Sequence, residues 1–173
     1  MRRNCVLVAV TVVAVTAHGQ TQTPPPQADI VVIDGSKNPE LIPQWHVWGH
    51  AFRVFSGGRR ELPTSIWFLV SKEETQLVMK EADAVRKSDA ECAERAMRTY
   101  GLLKKGESLK SVDVKMHAIT VECRWKTLQA RDRILEGLNP EARIALVKFV
   151  EECKDGMTIT VPKSGLARYF EPQ

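Results

Sequence analysis

Ser71-Lys72-Glu73-Glu74 sets a serine three residues before a glutamate, the pattern of a capping box, and it opens a helical stripe that runs to about Tyr100. Val78, Ala82, Val85, Cys92 and Ala96 recur at helical spacing along it, with Asp89 interrupting the stripe. So long a helix directs the chain towards helices packed on helices, and the segments around it agree. Pro43 suggests a helix start, and Trp45, Trp48, Phe52 and Phe55 then place an aromatic face on a helix over about 43–55, ended by Gly57-Gly58. Pro63 to Val70 is short and apolar and reads as helical. Asn139-Pro140-Glu141 combines a cap with proline at the first helical position. The helix that follows is expected to turn Ile144, Val147, Val150 and Cys153 inward.

Ser108 to Trp125 alternates like a strand in two parts, Val112 to His117 and Ile119 to Trp125, but the two are out of phase at Ala118-Ile119. Read as a helix, Val112, Met116, Ile119, Cys123, Ala130 and Ile134 form one stripe, continuous with the helical residues 126–137. Helix is the reading taken. The expected fold is a single all-α domain of four to five helices, with a long antiparallel helical hairpin and a short extended C-terminal tail, Met157 to Pro162.

The N-terminus sets a destination. Met1-Arg2-Arg3-Asn4, an apolar run from Cys5 to Val15, and Thr16-Ala17-His18-Gly19 have the layout of a secretory signal peptide, too short to span a bilayer. Cleavage after Gly19 is preferred to cleavage after Ala17. The polar, proline-rich residues that follow make 20–33 a flexible leader, with Ile30 to Ile33 as an extended apolar patch. The helical domain is expected over 34–162 and a polar tail over 163–173. Periplasmic or secreted localisation follows, with no stable membrane span after cleavage.

Removal of Arg2 and Arg3 lowers the formal charge from +4 to +2, too small and dispersed to argue for nucleic acid. Three cysteines remain, Cys92, Cys123 and Cys153, with spacings that fit neither a zinc ribbon nor a CxxC redox motif. If 108–137 and 140–154 are antiparallel helices, Cys123 and Cys153 each lie about fifteen residues from the turn and are level. Cys92 is offset from Cys123 by about 10 Å on the same arithmetic. The expected disulfide is therefore Cys123–Cys153, with Cys92 left over and buried; the plainer alternative keeps all three reduced in the core.

Catalytic motifs are missing: there is no GxSxG, P-loop, GxGxxG, CxxCH or HExxH. His46 and His50, four apart, could share one metal ion if His117 or a cysteine supplied a third ligand, but two amphipathic residues at the edge of an aromatic core is the plainer reading. No cofactor is expected. Lys37 beside its turn reads as solvated. The acidic residues read as solvated helix faces with partners such as Glu91–Arg95 and Glu94–Arg98.

Asp34-Gly35-Ser36-Lys37-Asn38-Pro39-Glu40-Leu41-Ile42-Pro43 resembles the opening of a group of exported, mostly helical bacterial proteins. Leu138-Asn139-Pro140-Glu141, the helix to Phe149-Val150 and Gly156-Met157-Thr158-Ile159 resemble that group's end. The resemblance implies an exported helical fold and no activity. Leu138 to Ala142 is also faintly similar to the LTxxQ motif of small periplasmic stress chaperones, with Asn139 in place of the threonine and Ala142 in place of the glutamine. The functional expectation is an exported, non-enzymatic helical protein that binds an unknown protein partner or acts structurally. A periplasmic metal-binding or metal-sensing protein and a stress-chaperone-like protein are the alternatives.

Overall fold

The computed structural model describes residues 29–57 and 62–170; the expected signal peptide with its cleavage site, most of the expected leader, Gly58 and the last three residues lie outside them. Six helices and one two-stranded ribbon make a predominantly all-α domain: β1 (Ile30–Asp34), α1 (Gln44–Phe55), α2 (Thr64–Trp67), α3 (Lys72–Gly101), α4 (Leu109–Gly137), α5 (Pro140–Glu152), β2 (Thr158–Pro162) and α6 (Leu166–Tyr169). Among the described residues no helix is long and apolar enough to cross a membrane.

The α3 capping box is present as expected, with the Glu74 amide donating to Ser71 Oγ at 3.1 Å and the Ser71 amide to Glu74 Oε2 at 2.7 Å. The same carboxylate also accepts from Asn139, whose own Oδ1 caps α5 through the Ala142 amide at 3.0 Å. One glutamate thus ties together the N-termini of two helices, and these bonds to its ionised form hold its pKa below the usual carboxylate value. α4 is a continuous helix despite its strand-like alternation. Ser108 caps it, and Thr120 and Thr127 donate to the carbonyls of Met116 and Cys123, so its β-branched polar residues find partners within the helix.

α3 and α4 form the long antiparallel hairpin. Leu77 packs over Gly137, Arg133 Nη2 meets Glu81 Oε2 at 2.7 Å, Cys92 bonds Cys123, and Arg95 Nη1 meets Glu122 Oε2 at 2.7 Å. These contacts keep one register along its length. α1 lies across the base of the hairpin and buries Val47, Trp48, Ala51, Phe52 and Phe55 against Val78, Ala82, Val85, Ala130 and Ile134. Arg53 from α1 pairs with Asp89, which accounts for the charge interrupting the α3 stripe.

The disulfide is Cys92–Cys123, with Cα atoms 6.6 Å apart, and not the expected Cys123–Cys153. Two facts overturn that expectation. The chain continues past Gly101 in a 3-10 turn over Leu103–Lys105, so the apex falls near Gly106 and Cys92 and Cys123 become level. α5, for its part, packs on α1 and α2 rather than running back along α4.

The α5 stripe is also rotated from expectation. Ala142, Leu146 and Val150 are buried, whereas Ile144 and Val147 face solvent. The Asn38 amide joins the turn closed by the Asp34 carbonyl, ahead of a short 3-10 turn over Pro39–Leu41. Arg95 reaches across to Glu122 instead of pairing with Glu91, while Glu94–Arg98 forms as expected.

Ile30 to Ile33, expected in the leader, belong to β1, which pairs antiparallel with the expected extended tail, β2. Gly35 lies so close to the backbone of Lys154 that a Cβ there would stand 2.1 Å from the Lys154 carbonyl oxygen, and the Gly35 amide donates to the Met157 carbonyl at 2.9 Å. The Asp34-to-Pro43 and Gly156-to-Ile159 motifs are therefore halves of one tertiary contact.

Candidate functional site

α1 divides its aromatic residues between two environments. Trp48, Phe52 and Phe55 enter the core, while Trp45 and His46 line a polar-aromatic cluster with Arg124 of α4 and Tyr169 of α6. The Arg124 guanidinium stacks over the Trp45 ring, 4.3 Å from its centroid, and its Nη1 donates to the Arg168 carbonyl at 2.8 Å. Trp45 meets His46 and Tyr169 edge-on at 5.3 and 5.2 Å. The Tyr169 hydroxyl and His46 Nδ1 are 3.1 Å apart. Arg168 fastens the same segment from outside through Asp113, at 2.7 Å. Part of the expected polar tail is thus folded onto the first helix.

Burial shapes the electrostatics. His46 has its pKa pushed down to about 4, first by burial and then by the charges of Arg53, His50 and Arg124. His50 is lowered by burial and by Arg53. Burial raises Tyr169, against the opposing pull of Arg124. The cluster is therefore neutral apart from the guanidinium of Arg124, a residue only 7% exposed, whose charge lies over two aromatic faces.

Each residue singled out in the sequence has a place. His46 and His50 share α1, but His46 Nδ1 is engaged by Tyr169, and the cationic neighbours Arg53 and Arg124 oppose a further positive charge. Among the described residues no group of three or more His, Cys, Asp or Glu side chains is arranged to hold a metal ion. Lys37 is solvated and pairs with Asp34 at 3.3 Å. Cys153 lies near the end of α5, outside the Cys92–Cys123 bridge.

A second surface lies where α2 packs on α5. Of the apolar run Ile66 to Leu69 only Ile66 is buried; Trp67 and Leu69 are partly exposed and Phe68 is 81% exposed. α5 adds Ile144, 70% exposed, and Val147. The Leu69 carbonyl accepts from Asn139 Nδ2 at 2.9 Å, which fixes this turn to the start of α5. The aromatic residues of 45–68 read from the sequence either as a core or as a binding groove for apolar segments, and Ile144 as part of an inward stripe. Nothing in local spacing reveals that α5 offers Leu146 instead.

Comparison with protein families, curated proteins and solved structures finds no match to this chain.

Proposed function

We propose that this is an exported, non-enzymatic helical protein that works by binding another protein chain through its α2–α5 surface. The observation that carries the reading is the exposure of Trp67, Phe68 and Leu69 where this turn is fixed to the start of α5, with Ile144 and Val147 also exposed on that helix. Single exposed apolar residues are ordinary, but a large exposed group that includes two aromatics marks interaction surfaces. The Cys92–Cys123 disulfide supports an oxidising compartment, as the N-terminal sequence suggests. The polar-aromatic cluster supports a structural role for α6, since the Tyr169 hydroxyl is engaged by His46 and the Arg168 carbonyl by Arg124.

Site-specific photocrosslinking tests the reading. A photoreactive residue at Phe68 is expected to join one protein species that the same residue at exposed Lys87 of α3 does not reach, and Ile144→Asp is expected to abolish the adduct. Equal labelling from both positions would count against the α2–α5 surface. A metal ion retained in a non-denaturing mass and lost in a folded His46→Ala, His50→Ala variant would favour the metal-binding alternative.

A further inference from the structure

The free end of the α3–α4 hairpin carries a different chemistry from the α2–α5 surface. Between Arg95 and Val112 there are five cationic side chains and one carboxylate, Glu107. Arg95 is paired with Glu122 and Arg98 with Glu94, while Glu107 is neutralised by Lys115, whose Nζ lies 2.7 Å from Oε2. Lys104, Lys105 and Lys110 are exposed and have no carboxylate partner among the described residues. At the same end Tyr100 is 58% exposed, Leu109 76% and Met97 74%.

We infer that this tip docks on the surface of an anionic lipid bilayer. Charge and shape carry the inference together. Two helix ends side by side offer roughly 200 Å² of convex surface, well short of the ~800 Å² per partner that a stable protein interface buries. A bilayer needs no complementary hollow: Leu109 and Met97 immerse one by one, Tyr100 suits the interface with its apolar ring and polar hydroxyl, and the lysines stay at headgroup level. Each lysine near an anionic leaflet adds attraction that salt screens. The Cys92–Cys123 bond braces the two helices below the apex and keeps the tip a single unit.

Vesicle co-sedimentation of the full chain tests this, using phosphatidylcholine alone and an equal mixture with phosphatidylglycerol. The readout is the ratio of partition coefficients for the two vesicles, so that affinity from Cys5 to Val15, shared by every variant, cancels. A triple Lys104→Gln, Lys105→Gln, Lys110→Gln variant is expected to cut that ratio about a hundredfold. Leu109→Ser, which leaves the charge intact, is expected to weaken binding to the mixed vesicles roughly fivefold. Undiminished preference for anionic vesicles in the triple variant would overturn the proposal. So would lysine-dependent binding to soluble polyglutamate with none to vesicles, which would assign the tip to an acidic protein.

Discussion

The two halves of the α3–α4 hairpin are built from similar sequence and held by different physics. Near its base, Val78, Ala82 and Val85 face Ala130 and Ile134 under α1, all within the main core. Towards its tip, Val112 and Ile119 are buried outside that core, and cross-links take over: the Cys92–Cys123 bond and the Arg95–Glu122 pair. Hydrophobic burial at the base gathers three helices, whereas two helices alone have too little apolar surface to bury. A covalent tie supplies what the tip lacks, as in small domains with thin cores. The lesson is that one helix can belong to two stability regimes.

The comparison is broken most severely at the base. Phe52 is fully buried, so Phe52→Ala is expected to cost about 3–5 kcal/mol. Denaturant unfolding should show the loss in every probe at once, because the core is shared. At the tip, replacing Cys92 and Cys123 with alanine removes a cross-link between residues 31 apart and is expected to cost about 2–4 kcal/mol. Its signature should be local: amide exchange rises around 95–119 while amides near Val78 and Ile134 stay protected. Equal loss of protection in both halves would show that the hairpin is one cooperative unit.

Acid probes the middle of the hairpin, where half-buried His46 sits with Arg124 beside the disulfide. Burial depresses the His46 pKa from 6.5 to about 4, so the unfolded chain binds the proton more readily. The stability that His46 gives is complete above pH 6.5 and falls as pH drops towards 4, by at most about 3 kcal/mol. Thermal melts across that window should decline with acidity, and His46→Gln should flatten the decline. The smallest effect belongs to the exposed pair at the tip. Arg95→Ala is expected to cost about 0.2–1 kcal/mol, diminishing with salt, and equilibrium unfolding at low and high ionic strength checks it.

Where the chemistry was local, it could be read from the chain. Ser71 with Glu74 and Asn139 with Pro140 marked helix starts because their caps bond backbone amides two or three residues away. The α4 stripe from Val112 to Ile134 separated helix from strand because a strand would have needed a bulge at Ala118-Ile119. Local pattern failed where partners lie far apart in sequence. The Ile144 and Val147 stripe was plausible on spacing, but Leu146 and Val150 fill the core. The polar-aromatic cluster was half visible: Trp45 and His46 stood out, whereas Arg124 and Tyr169 carried no signal until α4 and α6 met α1.

The sequence by itself determined the helical class, the caps, and a cysteine count that allows one intramolecular bridge among the three beyond Cys5, because periodicity, capping and composition act over a few residues. Only the tertiary structure decided which cysteines meet, which face of α5 is buried, that Gly35 must clear the Lys154 carbonyl, and that three lysines at one tip have no carboxylate partner among the described residues. Those outcomes depend on helix register and on where the turn apex falls. A shift of a few residues there moves a side chain by several ångströms, more than the reach of a disulfide or a hydrogen bond.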